Sequence, residues 1–94
     1  MYLEIVTPEA VLFSSEVDSV LVPGVHGEFQ MLNNHAPIVS VLKKGEIKIY
    51  THNQENIVLN NSLTTSNNDD KTLVLTINSG FLELNNNKTI ILVD

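Results

Sequence analysis

The chain has no cysteine, no tryptophan and no arginine; its five basic residues are all lysine, against eleven Asp and Glu and a net charge of -6. Without cysteine there are no disulfides, no thiolate nucleophile and no thiolate metal site, and the redox compartment is left open. Without arginine the usual bidentate clamps on phosphate and on base edges are missing. A pI near 4.8 also repels a polyanion, which argues against nucleic acid and against anionic lipid headgroups as partners. Long apolar runs are lacking as well: none approaches the ~20 residues needed to span a bilayer. The start Met-Tyr-Leu-Glu-Ile-Val-Thr has no basic segment followed by an apolar one. The expectation is a cytosolic protein with no membrane insertion of its own.

What is present is enough for one folded domain, residues 1–94. A hydrophobic fraction of 43% with 17% charged residues is ordinary for a globular chain. At this size about two thirds of the unfolded surface is buried on folding, so the core is compact. Apolar residues recur with period two or in short β-branched runs, never at helical spacing over 11 or more residues. In Glu46-Ile47-Lys48-Ile49-Tyr50, Ile47 and Ile49 share one face; Thr72 to Ile77 repeats the pattern with Leu73, Leu75 and Ile77. Further strands are expected over Tyr2 to Thr7, Ala10 to Ser14, Val17 to Val22, Phe29 to Leu32, Ile38 to Leu42, Asn56 to Leu59, Phe81 to Leu84 and Thr89 to Val93. Turn formers separate them: Pro8, Pro23-Gly24, Gly27, Asn33-Asn34, Pro37, Gly45, Asn53, Asn78-Ser79-Gly80 and Asn85-Asn86-Asn87. About ten short, mostly antiparallel strands predict an all-β flattened sandwich or barrel.

Two local expectations follow. Pro23 lacks an amide proton, so the strand Val17 to Val22 is expected to end or reach an edge there. The stretch Asn60 to Lys71, with only Leu63 to bury, is expected to be an inserted polar loop or a protruding hairpin tip.

Chemistry is hard to find. Val22-Pro23-Gly24-Val25-His26-Gly27-Glu28-Phe29 describes a stiff, sharply turned loop, but no helix follows Gly27 to present amides to a phosphate. His35-Ala36-Pro37 marks a turn at a strand entrance, and His26, His35 and His52 show no short ligand spacing. The serines (Ser14, Ser15, Ser19, Ser40, Ser62, Ser66, Ser79) have no nucleophile-elbow context, and no pair among the eleven acids stands out. The sequons Asn60-Asn61-Ser62 and Asn87-Lys88-Thr89 are chance matches without a secretion signal. The residues therefore predict no catalysis, no cofactor, no metal and no small-molecule ligand.

In order and spacing, Leu3-Glu4-Ile5-Val6-Thr7-Pro8-Glu9, Val22 to Phe29, Leu32 with His35-Ala36-Pro37, Leu42-Lys43-Lys44-Gly45-Glu46-Ile47 and Ser79-Gly80-Phe81-Leu82-Glu83-Leu84 are similar to the N-terminal domain of the ATP synthase ε subunit (δ in mitochondria). The resemblance covers nearly the whole chain apart from Asn53 to Thr72, and the P-G-x-x-G-E-F and H-A-P pair followed by L-K-x-G is its specific part. It implies a ten-stranded sandwich at the foot of the central stalk. One face would lie against the γ subunit and one end on the polar loops of the membrane ring. That makes a non-catalytic part which helps couple a proton gradient to ATP synthesis, peripheral on the cytoplasmic side of the membrane. It also implies partner contacts at Gly24, Gly27, Glu28, Phe29, His35, Ala36 and Pro37, with Glu28 and His35 foremost. Many members continue into a two-helix hairpin that restrains ATP hydrolysis, whereas this sequence stops at Ile91-Leu92-Val93-Asp94; either the natural protein lacks the hairpin or the sequence was cut there, and only in the first case is the inhibitory and ATP-sensing role not carried over. The insertion Asn60 to Lys71 is longer than the family usually shows. A rival of another class, a free-standing sandwich that binds carbohydrate on one sheet face, calls for aligned aromatics, and Tyr2 and Tyr50 are a thin supply. A small hydrolase is the third option, without the cluster it needs.

Overall fold

The computed structural model describes residues 1–51, 63–66 and 69–94. Among them are ten strands: β1 Tyr2–Val6, β2 Val11–Glu16, β3 Ser19–Gly24, β4 Gly27–Leu32, β5 Ile38–Leu42, β6 Gly45–Tyr50, β7 Leu63–Ser66, β8 Asp69–Ile77, β9 Gly80–Asn85 and β10 Lys88–Val93. Their hydrogen-bonded order is β2-β1-β10-β9-β5-β3-β6-β8-β7, with β4 pairing β3. All pairings are antiparallel except β1 with β10, where the first strand slots in beside the last. The expected all-β sandwich is what forms.

The order divides into two layers. One is β2-β1-β10-β9-β5; the other is β4-β3-β6-β8-β7. Their hydrogen-bonded junction is the single residue pair Gly24↔Leu42 between β3 and β5. Alternation aims one set of side chains from each layer at the other. Leu3, Ile5, Phe13, Leu82, Leu84 and Ile91 from the first layer meet Val20, Val22, Met31, Ile47, Ile49, Leu73 and Leu75 from the second in one buried cluster. The period-two pairs Ile47/Ile49 and Leu73/Leu75/Ile77 do face inward.

Of the two outcomes expected at Pro23, an end or an edge, the end does not occur: β3 does not stop at Val22 but continues through Pro23 to Gly24. The reason lies in where its ladder changes partner. β3 pairs with β6 over Ser19, Val20 and Leu21, and next with β5 at Gly24. The Pro23 carbonyl, accepting from the Lys43 N–H at 2.9 Å, points to that side, so the missing amide proton falls in the gap between the two partners. The stretch expected as a loop or hairpin tip contains β7, antiparallel to β8 with Leu63 opposite Leu75, and the start of β8. The strand expected over Asn56 to Leu59 lies outside the described residues.

Turn chemistry is legible at two hairpins. Asn86 and Asn87 join β9 to β10 with φ of 52° and 60°, the double left-handed geometry that asparagine tolerates better than most residues. Val25 and His26 join β3 to β4 without positive φ; Gly27, at φ 129°, absorbs the reversal instead.

Candidate functional site

The β3–β4 hairpin tip is held from both sides. Gly24 is buried, and a Cβ there would stand 2.8 Å from the Gly27 carbonyl oxygen and 2.9 Å from Phe29 Cε1, so the Phe29 ring fills the place a side chain would take. Phe29 packs half-buried on the core, which turns its neighbour Glu28 out to solvent. The Val25 N–H donates to the Val41 carbonyl at 3.2 Å, tying the tip to β5.

His35 sits elsewhere. After the Asn33-Asn34 turn, where Asn34 has φ 65°, the His35 N–H donates to the Leu32 carbonyl at 3.2 Å, and the Asn34 N–H donates to Asn87 Oδ1 at 2.9 Å. The Met1 ammonium donates to Asn33 Oδ1 and lies 3.2 Å from Glu16 Oε2. His35 is half-buried with Nδ1 at 2.6 Å from the Ala36 carbonyl, while Ala36 and Pro37 are exposed. β5 starts beside this loop, with Ile38 opposite Leu84, and finishes at the tip, with Leu42 opposite Gly24. Five residues of strand span roughly 16 Å. The structure therefore gathers Gly24, Gly27, Glu28 and Phe29 at one end of the sandwich and His35, Ala36 and Pro37 at the other; they do not form one patch.

Sequence reasoning missed the broadest surface feature. On the outer side of the first layer, register aligns Val41 with Phe81, Phe81 with Leu92, Leu92 with Val6 and Val6 with Val11, a row of apolar side chains across five strands. Val41 is 54% exposed, Phe81 40%, Leu92 50% and Val11 45%; Val39, one row away, is 61% exposed. Shallow depressions flank the row, one lined by Val6, Thr7, Pro8 and Leu92, another by Pro37, Val39 and Glu83. Among the described residues the outer side of the second layer offers no such row: Glu46, Lys48 and Tyr50 on β6 alternate outward there. Monomeric domains seldom leave a contiguous apolar face in water unless something docks on it. The signal was in the unbroken apolar runs Ile38-Val39 and Ile90-Ile91-Leu92-Val93: a strand covered on only one side has nowhere to hide the second half of such a run.

The reacting groups stay apart. His26 is at the tip and His35 at the far end, and among the described residues no three His, Asp or Glu side chains gather as a metal site.

Comparison with known proteins gives a consistent outcome. The family model described as ATP synthase, Delta/Epsilon chain, beta-sandwich domain matches residues 1–63. The ATP synthase epsilon chain of Chlorobaculum tepidum is 36% identical over 92 residues, covering 98% of this chain and 86% of that one. That of Campylobacter curvus is 38% identical over 94 residues, covering 100% of this chain but only 60% of its own length. A chain in the cryo-EM structure of the Tetrahymena thermophila mitochondrial ATP synthase central stalk and c-ring has the same fold, with a TM-score of 0.69 at 14% identity, covering 98% of this chain and 61% of that one.

Proposed function

The chain belongs to the delta/epsilon family of ATP synthase subunits, and from that premise we propose that it is a non-catalytic element of the central stalk that joins γ to the membrane ring. The outer face of β5, β9, β10, β1 and β2 meets γ. The end bearing Val25, His26 and Glu28 meets the polar loops of the ring. The complex is peripheral on the cytoplasmic side of the membrane and couples ion flow to ATP synthesis.

One observation supports this most: exposed apolar side chains are concentrated in a register-aligned row on one layer of an otherwise acidic domain. Burial of such a row stabilises a complex by about 25 cal/mol per Å² of apolar surface removed from water, before the cost of association. Stiff β-structure with preset turns loses little conformational entropy on docking, which suits a part that carries torque. A tip at one end of the sandwich and an apolar row on the side of one layer suit a spacer between two partners. Glu28, exposed at the tip, meets amide or basic groups of the ring and fixes orientation more than affinity.

The test is to mix the purified domain with γ and follow complex formation by size exclusion, then to measure ATP synthesis in ring-bound assemblies carrying Glu28→Lys or His35→Ala. A stable complex with γ is expected, with Glu28→Lys lowering coupling and leaving γ binding intact. Failure of the folded domain to bind γ refutes the proposal.

A further inference from the structure

Next to the apolar row runs a second one of different chemistry. Register aligns Val39 with Glu83, Glu83 with Ile90, Ile90 with Glu4 and Glu4 with Ser14, so apolar and acidic side chains alternate across the face. Glu83 is exposed and Glu4 half-buried. Among the described residues neither carboxylate has a hydrogen bond or an ion pair. The basic side chain nearest along these strands, Lys88, lies over the Tyr2 ring at 5.8 Å, one row further on.

We infer that Glu4 and Glu83 set the orientation in which γ seats on this face, by meeting two cationic side chains of γ. The inference rests on the docking proposed above and adds the chemistry of the partner. A partner that covers Val41, Phe81 and Leu92 also covers or closely borders the next row, about 7 Å along the strands. Carboxylates trapped there without counter-charges oppose association, because desolvation of an unpaired charge outweighs the gain from neighbouring apolar contacts. The surface that fits therefore carries Lys or Arg opposite both. Glu83 and Glu4 are two strands apart, on β9 and β1, which places them roughly 10 Å from each other. On a helix laid along the row, that spacing is from i to i+7 at about 1.5 Å per residue. The apolar row supplies attraction in any register, whereas two fixed charges select one.

The experiment uses the whole chain and purified γ, with affinity and association rate measured at several salt concentrations. The variants are Glu4→Gln, Glu83→Gln, the double variant, Glu83→Lys, and Leu92→Thr as a probe of the face itself. Each Gln variant is expected to weaken binding about two- to five-fold, mostly through slower association, and the double variant to flatten the salt dependence. Glu83→Lys is expected to weaken binding by roughly ten-fold or more, since a like charge now meets the cation. Lys→Ala and Arg→Ala replacements in γ complete double-mutant cycles: two of them, and no others, lose their effect in the double Gln background. If wild type binds γ and Leu92→Thr weakens it, but the double Gln variant binds as wild type with unchanged salt dependence, the two carboxylates only keep the face soluble and the inference is overturned while the docking stands. If folded wild type does not bind γ at all, the underlying proposal fails and the inference falls with it.

Discussion

Ile91 and Leu92 are adjacent on β10 and nearly equal in size, yet Ile91 has no exposed surface and Leu92 is 50% exposed. Replacing each in turn by threonine, a good strand former, separates folding from docking. At position 91 the change removes two buried carbons at about 0.8 kcal/mol each and leaves a hydroxyl to be satisfied at about 1–3 kcal/mol. A loss near 3.5 kcal/mol is a large part of the roughly 5–14 kcal/mol expected for a domain of this length. At about 4–8 °C per kcal/mol, Tm falls by roughly 15–25 °C. At position 92 the isolated domain loses about 0.5 kcal/mol or less, as exposed substitutions do. Binding tells the opposite story. On the proposed docking the half of Leu92 still in water becomes buried against γ, and its loss together with desolvation of the new hydroxyl is expected to weaken the complex by about 1.5 kcal/mol, roughly ten-fold. Thermal melts by circular dichroism and calorimetric titration with γ read the two effects. A drop in Tm above about 8 °C for Leu92→Thr, or below about 4 °C for Ile91→Thr, refutes the assignment of faces. Unchanged γ affinity in Leu92→Thr refutes the docking face.

Three further outcomes are expected. Gly80→Ala places a Cβ 2.9 Å from the Leu92 carbonyl oxygen, a backbone atom that cannot swing away, so urea melts should show a loss of about 1–3 kcal/mol. Asn87→Gly relieves a positive φ but deprives the Asn34 N–H of its 2.9 Å acceptor; Tm should stay within about 5 °C while amide exchange at Asn34 accelerates. Val25→Pro removes the N–H donated to Val41; a loss of about 1–2 kcal/mol in urea melts, with faster exchange of the neighbouring Lys43 amide by hydrogen exchange, is the expected outcome.

Strand existence could be read along the chain because period-two patterns such as Ile47/Ile49 and Leu73/Leu75/Ile77 report a single buried face. Where both sets of side chains were apolar, as at Ile38-Val39 and Ile90 to Val93, periodicity carried no phase, and only register across β5, β9, β10, β1 and β2 showed which half is outside. β7 was hidden for another reason: Leu63-Thr64-Thr65-Ser66 is polar by composition, and its strand conformation comes from pairing with β8. Pro23 left two outcomes open, an end or an edge, because its cost depends on whether a ladder partner faces its nitrogen, a property of topology. The separation of Glu28 from His35 was within reach. The strand Phe29 to Leu32 between them leads from one end of a sandwich toward the other, but proximity of the two motifs in sequence obscured it.

The same topology joins the two candidate ends of the molecule to the exposed row. β3 leaves β6 at Leu21 and reaches β5 only at Gly24, so the layers communicate by backbone hydrogen bonds chiefly around the tip, where two bonds flank the Gly24↔Leu42 pair: the Lys43 N–H to the Pro23 carbonyl and the Val25 N–H to the Val41 carbonyl. Val41 is also the β5 member of the apolar row, 54% exposed between Val25 and Phe81. On the proposed function, a force applied by the ring at Val25 and His26 reaches the γ-facing surface through one hydrogen bond and one residue, and does not have to cross the side-chain core. Close-packed cores transmit strain but yield by rotamer changes, whereas a bond into a strand that is itself paired along β9 moves that layer as a unit. Alternation along β5 turns Val41 outward at this junction, where a polar residue would carry the load equally well but, on the proposed function, leave γ without its contact.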